Sequence, residues 1–392
     1  MIYLHIPFCH RKCAYCAFYS VAGSSEKDEY IDALCREIAA RHCFFGTEHW
    51  RPKTLYVGGG TPSSLNIGQL RKVSQSLRNY FDLSALQEAT IECNPEDLSE
   101  EFLDNLLGLS LFDRISIGIQ SFDDEQLRRM NRRHTAKQAR EAVYNADKAC
   151  FQKMSIDLIY GLPQQGVKHW EHELNEVDQL NQTLSHPIGH LSCYALTLEP
   201  GTILETQVKK RQVTLADDEM QVAHYEALCR WAAISGYAQY EVSNFALPGQ
   251  RSRHNSRYWN RTPYLGLGAA AHSFDGHCRR WNIADVARYT ASALAGPVEY
   301  EEEELTVRDA YNEYVMTALR TTDGIDKRLI APPLAAQLKE GIQPFVSQGW
   351  ITETDTHYRP TPAGLLLADR MAAELFVTSP PQESEEAPVT EA

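Results

Sequence analysis

The chain has 392 residues, 43% hydrophobic and 23% charged, which allows a sizeable core and excludes wholesale disorder. Fifty-two acidic against 38 basic side chains give a formal charge of −14, which excludes a general nucleic-acid binder or a surface drawn to anionic lipid. No apolar run reaches the roughly 18–20 residues that span a bilayer, and Met1-Ile2-Tyr3-Leu4-His5 has no signal-peptide pattern. A cytoplasmic protein with no integral membrane segment is expected. Of the ten cysteines, Cys35, Cys43, Cys93, Cys150, Cys193, Cys229 and Cys278 lie scattered and read as reduced thiols serving mostly as small core residues.

In chain order, Tyr3-Leu4-His5-Ile6 reads as a short strand. A helix follows with Ile31, Leu34, Cys35 and Ile38 on one face. Residues 54–57 form a second strand stopped by Gly58-Gly59-Gly60, and residues 89–93, 114–120, 154–159 and 191–196 give four more. Helical periodicity separates each strand from the next: Leu70, Val73 and Leu77; Leu98, Phe102, Leu103 and Leu106; then residues 135–149 and 167–180. Six strand–helix units predict an α/β fold with a parallel sheet, either doubly wound or curled into a partial, TIM-like barrel. In a barrel the chemistry belongs at the carboxyl ends of the strands, where Gly58 to Thr61, Glu92, Gln120 and Asp157 fall.

Residues 1–205 are assigned to this barrel and residues 206–298 to an extension. The extension holds a helix over 217–234, a strand-like Tyr240-Glu241-Val242 and the polar, aromatic stretch from Arg253 to Trp259. Glu299 to Glu304 reads as a solvated acidic linker. Residues 305–376 form a small α+β domain resembling a winged helix, with a hairpin turning at Thr354-Asp355 and a helix opened by Thr361-Pro362. Residues 377–392 are Pro- and Glu-rich and expected to be disordered.

Cys9, Cys13 and Cys16 form a C-x3-C-x2-C pattern directly after the first strand. A zinc site would need a fourth ligand, for which His5 and His10 are at hand, yet there is no second C-x2-C pair. Three soft thiolates suit an iron–sulfur cluster better. A 4Fe-4S cube held by three cysteines keeps one iron open for a small molecule. No lysine follows the glycine triplet, so a phosphate-binding loop is excluded.

The three-cysteine loop, with Tyr15 before its last cysteine, resembles the radical S-adenosylmethionine (SAM) proteins. The resemblance implies a 4Fe-4S cluster on Cys9, Cys13 and Cys16 and an exchangeable SAM on the open iron. Reduction would then cleave SAM to a 5′-deoxyadenosyl radical, which calls for a reductant. It also implies a SAM site built from Gly59, Gly60 and Thr61, from the acidic Glu92 and Asp157, and from Gln120 and Arg132. Tyr3 and Tyr15 flank the cluster. Each of these also admits a structural reading as a satisfied polar or packed group.

The segments Tyr3-x-His5-Ile6-Pro7-Phe8-Cys9, Gly58-Gly59-Gly60-Thr61-Pro62, Glu92-Cys93-Asn94-Pro95, Ser116-Ile117-Gly118-Ile119-Gln120-Ser121-Phe122 and Asp157-Leu158-Ile159-Tyr160-Gly161-Leu162-Pro163 resemble the oxygen-independent coproporphyrinogen III oxidase family. That family contains a true oxidase, which decarboxylates two propionates, and HemW-type heme chaperones, which deliver heme to acceptor proteins. The oxidase carries a further cysteine two residues after the third cluster cysteine, where this chain has Phe18, and a long arm before its Tyr-x-His motif. His254-Asn255-Ser256-Arg257-Tyr258-Trp259 matches the H-N-x-x-Y-W signature of the chaperones. The resemblance therefore implies heme as ligand, an unidentified acceptor protein as partner and His254 as the residue that handles heme; the oxidase is the alternative. A buried structural histidine is the competing reading of His254, with His272, His5 and His10 as other imidazoles. A dimer that depends on the cluster is a further expectation.

Overall fold

The computed structural model describes residues 1–23, 26–46 and 50–378. The disorder expected from 377 onward thus falls outside the described residues from 379. Val377 itself is buried and exchanges two hydrogen bonds with Asn312.

Six strands alternate with helices through the first half: β1 (Ile2–Ile6), β2 (Thr54–Gly59), β3 (Glu88–Cys93), β4 (Arg114–Gln120), β5 (Lys153–Tyr160) and β6 (Ile188–Ala195). Between them lie α1 (Lys27–Arg41), α2 (Ile67–Tyr80), α3 (Glu100–Leu107), α4 (Asp124–Arg129), α5 (Ala136–Lys148) and α6 (Val167–Asn181). Local chemistry fixes several helix starts. Asn66 with Gln69 and Thr135 with Gln138 form reciprocal capping pairs, and Ser99 accepts from the Phe102 N–H. Farther on come α7 (Ile203–Lys209), α8 (Asp218–Ile234), β7 (Ala238–Gln239), β8 (Asn244–Ala246), α9 (Arg253–Trp259), β9 (Leu265–Leu267) and α10 (Val286–Ala295).

Nine strands make one sheet in the order β9-β1-β2-β3-β4-β5-β6-β8-β7. From β1 to β6 every neighbour is the next strand in sequence and every pairing is parallel. A doubly wound sheet reverses its order at a switch point. With no reversal the crossovers all turn the same way and the sheet curls, so the partial-barrel alternative holds. Ile2, Leu4, Leu55, Val57, Ile91, Ile115, Ile117, Ile156 and Leu191 share one core with Leu34 and Ile38 of α1, Leu77 of α2, Val143 of α5 and Leu174 of α6.

Several details differ from the sequence expectation. Leu265-Gly266-Leu267, too short a signal to assign, is a strand laid parallel on the free edge of β1. A Cβ on Gly266 would lie 1.8 Å from the His272 carbonyl, so only glycine fits. The buried Glu37 carboxylate holds this edge by accepting from Gly268 N, Tyr289 OH and Asn282 Nδ2. Tyr240-Glu241-Val242 falls between strands rather than in one. The acidic linker is an exposed edge strand, β12 (Tyr300–Glu304), in a sheet ordered β10 (His272–Phe274), β11 (Cys278–Asn282), β12. β11 pairs with it, and the Arg280 guanidinium lies over the Tyr300 ring. None of the ten cysteines is in a disulfide, but of the seven dispersed ones only Cys93 and Cys193 are buried, and Cys43 and Cys150 are exposed.

Two compact units result. One comprises Met1–Gln239, Ser243–Arg257 and Thr262–Glu303; the other comprises Tyr240–Val242, Tyr258–Arg261 and residues 304 onward. The second unit is the small α+β domain. It holds α11 (Val307–Leu319), α12 (Pro332–Ser347), α13 (Pro362–Leu366), α14 (Ala368–Leu375) and an antiparallel sheet of β13 (Ile325–Asp326), β15 (His357–Pro360) and β14 (Ile351–Glu353). Thr361 caps α13 by accepting from Gly364 N, with Pro362 at the first helical position. Leu319, Leu338, Ile342, Phe345 and Met371 are central to its separate core. Among the described residues no helix is long and apolar enough to cross a membrane.

One buried carboxyl gives this fold a pH signature. Glu173 of α6 is 1% exposed and accepts from Ser121 Oγ at 2.8 Å and Phe122 N at 3.3 Å. Burial outweighs those bonds and pushes its pKa from 4.5 to about 7. The native state therefore keeps a proton that the unfolded chain has lost, and stability falls as pH rises from 4.5 through about 7. In Glu173→Gln the thermal midpoint should vary less steeply with pH across that window; an unchanged slope would contradict the assignment.

Candidate cluster and cofactor site

The cysteine loop leaves β1 at Pro7 and is fastened by backbone on two sides: Ala14 N donates to Met130 O at 3.0 Å and Leu204 N to Ala14 O at 2.8 Å. Tyr15 packs half-buried against the small apolar cluster of Leu127, Met130, Leu162, Leu196 and Leu204, so packing is part of its role. Cys9, Cys13 and Cys16 are half-buried on this loop. Thr61 Oγ1 donates to Cys9 Sγ at 3.5 Å and Arg132 Nη1 to Cys13 Sγ at 3.4 Å. Burial raises the pKa of both Cys9 and Cys16.

The suggested zinc closures are engaged elsewhere. His5 is buried, with Nδ1 against Tyr3 OH and Nε2 against Tyr19 O, each at 3.0 Å, and burial lowers its pKa to about 4. His10 Nε2 lies 3.6 Å from Asp97. Among the described residues no three His, Cys, Asp or Glu side chains close around one point as a single metal ion requires. A four-iron cube spreads its thiolates over separate irons and needs no such point. The donor set fits such a group: three thiols of soft sulfur, and beside Cys13 a guanidinium whose Nε has no partner among the described residues.

Arg132 is fixed three ways, since Nη2 also donates to Gly118 O at 2.6 Å and to Asn94 Oδ1 at 2.8 Å. A Cβ on Gly118 would stand 3.0 Å from Gln120 Nε2, which would have to give slightly, and in ordinary contact with Arg132 Nη2 at 3.6 Å. Gln120 ends β4 in the left-handed region at φ 70°, where the pairing with β5 shifts register. The glycine triplet does more than approach a ligand. A Cβ on Gly59 would lie 2.6 Å from His5 Nδ1 and one on Gly60 2.9 Å from Phe8 O, so both let β2 end flush against β1. Gly59 N donates to Glu92 Oε2 at 3.2 Å. Glu92 Oε1 accepts from Tyr56 OH at 2.6 Å, and Tyr56 stacks on Tyr3 with ring centroids 6.3 Å apart. Burial pushes Glu92 up to about 7, and pushes Asp157 up to about 6 against the pull of Ser192, Arg132 and Ser116.

The carboxyl ends of the strands thus bring together Cys9, Cys13, Gly59, Thr61, Glu92, Gln120 and Arg132. His254 is not among them. It is fully buried at the opposite, amino-terminal end, where its N–H donates to Glu88 Oε1 at 2.9 Å and its Nδ1 meets Thr54 Oγ1 at 3.0 Å. Thr54 opens β2 and Glu88 opens β3, so Ser252 to His254 is fastened beneath the barrel. Burial lowers its pKa to about 3, keeping the ring neutral. In this fold the His254 ring is buried and hydrogen-bonded, with no surface open to solvent. Sequence reasoning missed Tyr56, Asn94, Arg114, Ser116, Ser155, His190 and Ser192. Their signal was a polar residue at every second position of otherwise apolar strands.

The parallel partial barrel with a three-cysteine loop at its mouth defines the class, and comparison with known proteins agrees. The radical SAM superfamily pattern matches residues 3–177 and the HemN C-terminal domain matches residues 305–367. The chain is 33% identical over 377 residues to a protein of Bacillus subtilis named heme chaperone HemW, covering 94% of this chain and 97% of that one. With the Escherichia coli protein of the same name it shares 30% identity over 391 residues, 96% of this chain and 97% of that one. The solved coproporphyrinogen III oxidase HemN of Escherichia coli, described as a radical SAM enzyme, superposes with a TM-score of 0.81 at 26% identity, covering 95% of this chain and 89% of that one.

The chain belongs to the HemW group of radical SAM proteins related to HemN. Membership of the radical SAM superfamily implies a 4Fe-4S cluster and SAM.

The buried contacts of His254 carry a prediction. His254→Ala leaves a cavity and strands Thr54 Oγ1, and should cost about 2–4 kcal/mol in thermal or urea unfolding. A loss below about 0.5 kcal/mol, the range of an ordinary surface change, would show that the ring is not buried as described.

Proposed function

We propose that this protein binds heme and passes it to acceptor proteins. We also propose that it carries a 4Fe-4S cluster on Cys9, Cys13 and Cys16 with exchangeable SAM as the remaining ligand. The observation that carries the reading is the relation to proteins named heme chaperone along nearly the whole chain, at 33% identity. Phe18, where the oxidase branch has a cysteine, supports it: the side chain is 73% exposed beside the cluster loop and offers an apolar surface rather than a thiol.

When bound, the cluster supplies one-electron reduction at SAM. The chain's own residues do the holding. Arg132, locked by Asn94 and Gly118, presents a fixed cation to the carboxylate of SAM. Glu92 and Asp157 offer acceptors to its amino group and ribose hydroxyls, and Tyr56 and Gly59 N–H keep the Glu92 carboxylate from turning away. Gln120, Thr61 and Gly60 shape the wall between Cys9 and the strand ends, with Tyr3 behind them.

Imidazole is a common axial ligand of heme iron, and one open to solvent can reach it without rearrangement. His272 is exposed and stacked on Trp281, with ring centroids 5.8 Å apart and planes 25° from parallel, a setting suited to a porphyrin edge. His254 could serve only after the segment from Ser252 had left Glu88 and Thr54. The second reading, the oxidase, is favoured by the superposition on HemN.

Three outcomes follow. Cys13→Ala should lose its iron and sulfide after anaerobic reconstitution, whereas retention of a full cluster would remove Cys13 from the ligand set. Reconstituted protein given coproporphyrinogen III, SAM and a strong reductant should leave the tetrapyrrole mass unchanged; catalytic loss of two carboxyl groups would make it an oxidase. In heme titrations followed by the Soret band, His272→Ala should weaken binding and His254→Ala, measured below its unfolding range, should not. The converse pattern would mean that the segment around His254 opens to take heme.

A further inference from the structure

Barrels of this architecture ordinarily fill their axis with layers of branched apolar side chains. Here the axis is polar. Strand pairing sets Tyr56 beside Thr90, Thr90 beside Arg114, Glu92 beside Ser116, Ser116 beside Ser155, Ser155 beside His190 and Asp157 beside Ser192. Because these residues alternate with apolar ones, they all point the same way, into a chamber of about 320 Å³ of unfilled space, its mouth included. Short serines and a threonine stand where bulky side chains would have closed it.

The two ends of the chamber differ. Glu92 and Asp157, both assigned above to the cofactor, stand at the carboxyl end. At the amino end are donors. Arg114 is 2% exposed and its Nη2 has no partner among the described residues; Thr90 is 1% exposed and its Oγ1 has none either. Arg114 Nη1 donates to Gln250 O at 3.1 Å and lies 3.7 Å from Glu88 Oε2. The Glu88 oxygens already accept from Ser252 Oγ, Arg253 N and His254 N, so Glu88 does not turn into the chamber. Ser155 Oγ and His190 Nδ1 are occupied with each other at 2.6 Å. Leaving a guanidinium N–H unmade in a dry interior is costly, and a group that only accepts hydrogen bonds relieves it at both donors at once.

We propose that the amino-terminal half of this chamber is a binding site for a small carboxylate-type anion, held by Arg114 Nη2 and Thr90 Oγ1. The site lies below the residues assigned to SAM and shares none of them, and it stands whether or not the protein handles heme. An anion there sits on the far side of Glu92 and Asp157 from the cysteine loop, closed off by the Ser252–Asn255 segment.

Formate is the probe. Reconstituted protein, with SAM present to occupy Arg132, is dialysed to equilibrium against labelled formate in a fixed sodium chloride background. Wild type should take up one formate per chain saturably. Thr90→Val, which keeps the shape and removes one donor, should bind about tenfold more weakly, and Arg114→Gln should abolish uptake if it folds. Absence of saturable uptake in wild type would mean that the chamber holds water alone and would overturn the proposal. Equal uptake in Thr90→Val would place the anion elsewhere and overturn it too.

Discussion

Arg132 is the tie on which the mouth of the barrel depends. One guanidinium reaches the cysteine loop through Cys13, the end of β3 through Asn94 and the end of β4 through Gly118. The sheet already holds the ends of β3 and β4 side by side, and the guanidinium adds a tie from both of them to the cysteine loop. A planar, forked donor that cannot lose its charge does this in a way lysine could not.

A second constraint runs along the barrel axis. Strands that are apolar on their helix-facing side are polar on the inner side, so the sheet gains stability from its outer layer and leaves its interior for ligands. The amino-terminal end is sealed by Glu88, which caps the Arg253–Trp259 helix and neighbours Arg114, and by His254 against Thr54. Ser252, Arg253 and His254 are therefore part of the floor of the barrel. Tyr56 joins floor to mouth, with its ring 5.1 Å from His254 and its hydroxyl on Glu92.

Much of the fold was legible because hydrophobic periodicity is a local property. Six strand–helix units, the capping residue Thr361 and the cysteine spacing can all be read within a dozen residues. What was not legible depends on distant partners. Gly266 shows its reason only when the His272 carbonyl is packed against it, and the Tyr300–Glu304 strand only when the Cys278–Asn282 strand, with Arg280 over Tyr300, lies alongside. Nothing near His254 in sequence reveals that Thr54 and Glu88 enclose it. The polar interior lay between these cases: Arg114-Ile115-Ser116 and Ser155-Ile156-Asp157 alternate visibly, but runs with so many isoleucines pass for buried strands.

The central claim is that three cysteines hold a four-iron cluster whose open iron is completed by SAM. Electron paramagnetic resonance of the anaerobically reconstituted, reduced protein tests it most directly, with spectra taken before and after SAM is added. A signal of a reduced 4Fe-4S cluster whose shape changes on adding SAM, and which Cys9→Ala lacks, is the predicted result. Protein that takes up zinc in place of iron, or a cluster signal indifferent to SAM, would contradict the account.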